Sequence, residues 1–125
     1  MHPDLIEYET LCTSHPRLSA VLAEHLSAYA SDPGEPPLAT LLLGDLGHEI
    51  AVMAEWGVRV KLEPALSEVE RLCWRGSEDA KIAVGVGLLE SLAFRVEARG
   101  SHTPHPVLPL LGFESRRIVE RILAS

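Results

Sequence analysis

The stretch EDAKIAVGVGLLESLAFRVEA, residues 78–98, decides the fold. It is apolar over most of a helical circumference, as expected of a helix surrounded by other helices. Gly85 and Gly87 each cost about 1 kcal/mol relative to alanine in a helix interior, so close backbone packing is their expected compensation. Just ahead, Gly76 closes one helix and Ser77 opens the next as its N-cap. Glu78 and Asp79 then face the positive end of the helix dipole. A single carboxylate, Glu90, is embedded in the apolar surface. This segment is the expected centre of a helical bundle.

Outward from that centre, proline supplies the punctuation. Pro3, Pro16, Pro37 and Pro64 each head a periodic apolar stretch, where the missing N–H costs nothing and the fixed φ suits a first turn. The pattern predicts helices over 3–13, 16–31, 37–57, 63–75, 78–98 and 113–124. Leu18, Val21, Leu22, Leu26 and Tyr29 form the stripe of the second helix. Leu42, Leu43, Leu46, Ile50 and Met53 face the core in the third, where Gly44, Gly47, Ala51 and Ala54 admit a close neighbour. Leu62, Leu66, Val69, Leu72 and Cys73 serve the fourth, and Ile118, Val119, Ile122 and Leu123 the last. VRVKL at 58–62 resembles a strand but is too short and isolated to found a sheet. Residues 99–112, with three prolines, read as an irregular, partly packed connection. The expected fold is all-α: one domain over 1–125, a bundle of five to six helices.

Composition narrows the function. Apolar residues at 46% and charged residues at 23% are ordinary globular values and exclude wholesale disorder. The net charge of −7 argues against direct nucleic-acid binding. The acids are unevenly placed: residues 1–70 hold twelve against three bases, residues 71–125 six against eight. That asymmetry is either a solvated face or a docking surface for a basic partner. The longest apolar run, Ile82–Leu89, stops at Glu90, far short of a membrane span. MHPDLIEYETL lacks the basic and apolar regions of a signal peptide, so a cytoplasmic protein is expected. Cys12 and Cys73 offer neither a disulfide framework nor zinc spacing; both read as buried small hydrophobes.

Catalytic chemistry finds little support. His48-Glu49 is followed by Ile50, Ala51, Val52 and Met53, so the second histidine of the zinc motif is absent. His102 and His105 lie among prolines and read as solvent-facing loop histidines. There is no nucleophile elbow and no glycine-rich phosphate loop, because Gly85-Val86-Gly87 lies within a helix. No enzyme activity, cofactor or metal is expected. Glu90 is either a general acid or base or a structural buried carboxylate; the structural reading is preferred, paired with an arginine or accepting loop N–H groups. Asp45, Glu49, Val52 and Trp56 share a helix side opposite the Leu42/Leu46/Met53 stripe. They form the candidate partner-binding face, with Trp56 either an interface anchor or packed on the following loop. Trp74 reads as a core lid.

The segments SEVERLCWRGSEDAKIAVGVGLLESL (67–92) and LLGFESRRIVERIL (110–123) resemble a family of small all-helical bacterial proteins. Some of its members look like immunity proteins that accompany polymorphic toxins. The shared features are Glu70, the turn Gly76–Asp79, the helix end Leu89–Leu92 and the helix start Leu111–Ser115; Phe113 stands where that family has proline. The resemblance implies an all-helical fold and an inhibitor role. The expected function is an immunity-type binding protein that occludes the active or substrate-binding surface of a cognate toxin, a protein partner with a basic surface. The alternative is a helical adaptor without a toxin partner. The residues do not determine an oligomeric state.

Overall fold

The computed structural model describes residues 3–31, 38–99 and 104–125. A 3-10 turn, Pro3–Tyr8, runs into α1 (Glu9–Cys12). Then follow α2 (Pro16–Ser31), α3 (Leu38–Glu55) and α4 (Glu63–Arg75). The central helix is continuous over three parts: α5 (Glu78–Ile82), a π-helical segment (Ala83–Leu89) and α6 (Glu90–Arg99). A short 3-10 turn, Leu108–Leu110, leads to α7 (Phe113–Ala124). The fold is an all-α bundle, as the apolar periodicity predicts, and the strand-like VRVKL ends in a 3-10 turn, Val60–Leu62. No described helix is long and apolar enough to cross a membrane.

The core forms where the expected stripes meet. Leu18 and Leu22 of α2, Leu42, Leu46, Ile50 and Met53 of α3, and Leu62, Leu66, Val69 and Leu72 around α4 are buried together. Leu88, Leu89 and Leu92 of the central helix and Val119 of α7 join them. Cys12 is buried and Cys73 half-buried against this core, and burial pushes both thiols up to about 11. The side chain of Tyr29 and residues 32–37, including Pro37, lie outside the described residues.

α3 packs along the central helix at very short range. A Cβ built at Gly47 would lie 2.1 Å from the Leu88 carbonyl oxygen, so no other residue fits that crossing. A Cβ on Gly87 would meet the Leu43 Cβ at 3.2 Å. Gly85 is different: a Cβ there meets nothing within 4 Å, so packing does not account for it.

Three further expectations need correction. The central helix is not surrounded, since Ile82, Val86 and Phe94 are 62%, 59% and 64% exposed. Among the described residues α3, α4 and α7 pack against its other side. Trp74 is no core lid: its ring is exposed, and its indole N–H donates to Glu70 at 2.7 Å. Glu90 is half-buried rather than buried and has no hydrogen-bond or ion-pair partner among the described residues. The structural role expected of Glu90 falls instead to three carboxylates on other elements.

Those three clamp segments distant in sequence. Glu7 accepts the Ser77 backbone N–H at 2.7 Å and its hydroxyl at 2.6 Å, tying the first turn to the start of α5. Ser77 in turn caps α5, its Oγ accepting the Ala80 N–H at 3.1 Å. Glu70 of α4 caps α7, accepting the N–H groups of Glu114 at 2.8 Å and Ser115 at 2.9 Å and the Ser115 hydroxyl at 2.8 Å. These N–H groups are orphan donors of a first helical turn, where negative charge is favoured. Gly112 is needed at this cap, because a Cβ there would lie 2.5 Å from the Glu70 carboxylate carbon. Glu55 is the third clamp and borders the candidate site.

Candidate partner-binding face

α2 lies along the outer side of α3 and places a guanidinium and an imidazole against the acids there. Arg17 Nε donates to Glu49 Oε1 at 2.5 Å, and the same guanidinium carbon sits 4.6 Å from the centroid of the Trp56 ring. One turn or more away, His25 Nε2 is 2.6 Å from Asp45 Oδ2. The face therefore consists of two paired acids, a half-buried Val52 and an indole stacked under a guanidinium.

Exposure separates the members. Trp56 is 60% exposed, so the following loop does not bury it. The Asp45 side chain is 67% exposed whereas that of Glu49 is only 18% exposed. Glu49 thus neutralises Arg17 inside the α2–α3 seam, and Asp45 is the acid presented outward. A partly exposed ion pair contributes roughly 0–1 kcal/mol, and a cation–π contact at such a site about 0.5–1 kcal/mol. Together they orient the indole more than they stabilise the fold.

Next to Trp56 in sequence, Glu55 anchors the end of α3. Its buried carboxylate receives a bidentate pair of bonds from Arg95 of α6, Nε at 2.8 Å and Nη2 at 2.7 Å. His105 Nε2 lies 2.8 Å from Glu55 Oε2, while His105 Nδ1 accepts the Val107 N–H at 3.1 Å. Since Nδ1 is an acceptor, Nε2 carries the hydrogen and donates to Glu55. His105 is therefore buried and engaged, not solvent-facing as expected of a loop histidine. Bonds from Arg95, aided by His105 and opposed by burial, hold the Glu55 carboxyl down to about 2.

Helical spacing groups Asp45, Glu49, Val52 and Trp56, and they do occupy one side of α3. It misses Arg17 and His25, which come from another helix. A signal for Arg17 exists: it is one of three bases among the first seventy residues, and a base in so acidic a setting pairs with something.

A groove of about 560 Å³ elsewhere, lined by Arg59, Val60, Glu63, Leu66, Glu70 and Leu110 among others, has one of its two acids, Glu70, committed to capping α7. Among the described residues no group of three or more histidine, cysteine, aspartate or glutamate side chains is arranged to hold a metal ion. His102 lies outside those residues, and His48 is exposed. Compared with protein families, with curated proteins and with solved structures, the chain matches none.

Proposed function

We infer that this chain is an immunity-type binding protein, acting in the cytoplasm to neutralise a cognate bacterial toxin by occluding its active or substrate-binding surface. The observation that carries this reading is Trp56: the indole is 60% exposed, yet Arg17 holds it from one side at 4.6 Å. An aromatic already fixed in place loses little conformational freedom on binding, and such residues dominate interface energetics. Exposed Asp45, about three turns away along α3, within a chain of net charge −7, suits a basic surface such as that of a toxin attacking nucleic acid.

The test is co-expression with a large secreted protein encoded upstream and ending in a variable domain. The reading expects the chain to restore growth and to co-purify with that domain, and expects Trp56→Ala to weaken both. Toxicity unaltered by the chain would overturn it. A second reading, a helical adaptor with no toxin partner, draws support from the additional exposed row on the central helix. It expects a stable complex with no rescue of growth.

A further inference from the structure

The outer side of the central helix carries a row that the bundle leaves unused. Ile82, Val86 and Phe94 are exposed, and Glu90 stands between Val86 and Phe94 at the same spacing of four. A row spaced by four advances around an α-helix, which turns in about 3.6 residues. It falls back around a π-helix, whose i→i+5 bonds widen the turn. The π-helical segment Ala83–Leu89 lies within the row, so the two drifts oppose each other and the four positions stay on one face. Gly85, one turn from Ile82, leaves bare backbone beside the row where a Cβ would meet nothing within 4 Å.

Glu90 specifies what can cover this face. The carboxylate is half-buried, flanked by apolar neighbours and unpaired among the described residues. Covering it without a counter-charge would leave a desolvated, uncompensated ion. We propose that Ile82, Val86, Glu90 and Phe94 form a docking face for an amphipathic helix of a partner protein. Its apolar side chains cover the row, and one lysine or arginine among them meets Glu90. A straight row on one helix matches the side-by-side seating of another.

A second copy of this chain seated helix against helix does not supply that chemistry. Antiparallel pairing about a two-fold axis would set Val86 against Glu90 and bring no base to either carboxylate. The bases of this helix near the row, Lys81 and Arg95, are engaged by Glu78 and Glu55. The proposal does not depend on the Trp56 face or on a toxin partner.

The probe is a displayed library of helical peptides, selected on the full chain and counter-selected on Val86→Asp/Phe94→Asp. Recovered peptides should carry a lysine or arginine flanked by apolar residues three or four positions away. A synthetic copy of one should lose at least about tenfold in affinity to Glu90→Lys, and exchanging its base for glutamate should restore binding to that variant. Failure to recover any peptide that distinguishes the two proteins would overturn the proposal. So would recovered peptides without a base, or binding indifferent to Glu90→Lys. A wild-type dimer in sedimentation equilibrium that Phe94→Asp dissolves would also overturn it, by making a second copy the occupant. Circular dichroism melts check the variants; should the double variant not fold, Phe94→Ser takes its place in the counter-selection.

Discussion

Glu70 and Ser115, 45 positions apart, are joined twice: one carboxylate oxygen accepts both the backbone N–H at 2.9 Å and the hydroxyl at 2.8 Å. The other oxygen takes the Glu114 N–H at 2.8 Å and the Trp74 indole N–H at 2.7 Å. An acid on α4 is thereby the N-cap of α7, whose own capping position is held by Gly112, which has no side chain to serve. This contact joins Glu70 to the helix start Leu111–Ser115.

Glu70→Ala should therefore destabilise the chain by about 2 kcal/mol or more, since a lost cap and several charge-assisted bonds disappear together. Glu70→Gln, which retains one acceptor oxygen, should cost less. Urea unfolding of the three proteins checks the order. Equal midpoints would mean that α7 does not depend on this cap.

Burial pushes the Glu70 pKa up, but its four hydrogen bonds outweigh that and leave it below the ordinary value. Glu55 lies lower still, from 4.5 down to about 2. A depressed carboxyl contributes stability that is whole above the unfolded pKa and is lost as pH falls through the folded one. Stability should thus decline on acidification from about pH 4.5 toward about pH 2. Glu55→Gln should be less stable at neutral pH and show a flatter acid limb, measured by urea melts across that range.

The two glycine environments predict opposite outcomes. Gly47→Ala would drive a methyl into the Leu88 carbonyl, 2.1 Å away, and should cost about 3 kcal/mol or more. Gly85→Ala meets open space and should be neutral or stabilise by up to about 1 kcal/mol. Thermal melts of both variants test the crossing geometry directly.

At the Trp56 face, rim charge and anchor should separate kinetically. Asp45→Lys with Glu49→Lys should slow association with a basic partner, most of all at low salt. Glu49→Lys also releases Arg17 from its ion pair, so a small loss of stability should accompany it. Trp56→Ala should speed dissociation, costing about 2 kcal/mol or more of binding energy. None of these changes touches buried Leu42, Leu46 or Met53, so the helix should survive them. Association rates unchanged across a tenfold range of salt would make the acidic half a solubilising surface only.

Much of the fold was legible because its signals are local. Pro16 starts α2 and Pro64 lies in the first turn of α4. Ser77 caps α5 as expected of its position. The stripe Leu42, Leu46, Ile50, Met53 repeats within a few residues, so its burial follows from helical period alone. Even the close crossing at Gly47 was foreshadowed, since a glycine inside a helix asks for a reason.

Pairing was not legible, because it depends on what arrives from elsewhere in the chain. Glu90, embedded in apolar sequence, reads as the buried acid, yet it is only half-buried and has no partner among the described residues. Glu55 and Glu70 look like ordinary surface glutamates in sequence. Tertiary packing brings Arg95 and His105 to one, and the open N-terminus of α7 to the other. The sequence by itself determined where helices begin, end and turn their apolar sides, since those follow from backbone geometry and periodicity over a few residues. Only the tertiary structure decided which carboxylates are buried and which apolar residues stay outside. A charge is buried where a distant donor meets it, and an apolar side chain is covered only where another element has room to pack.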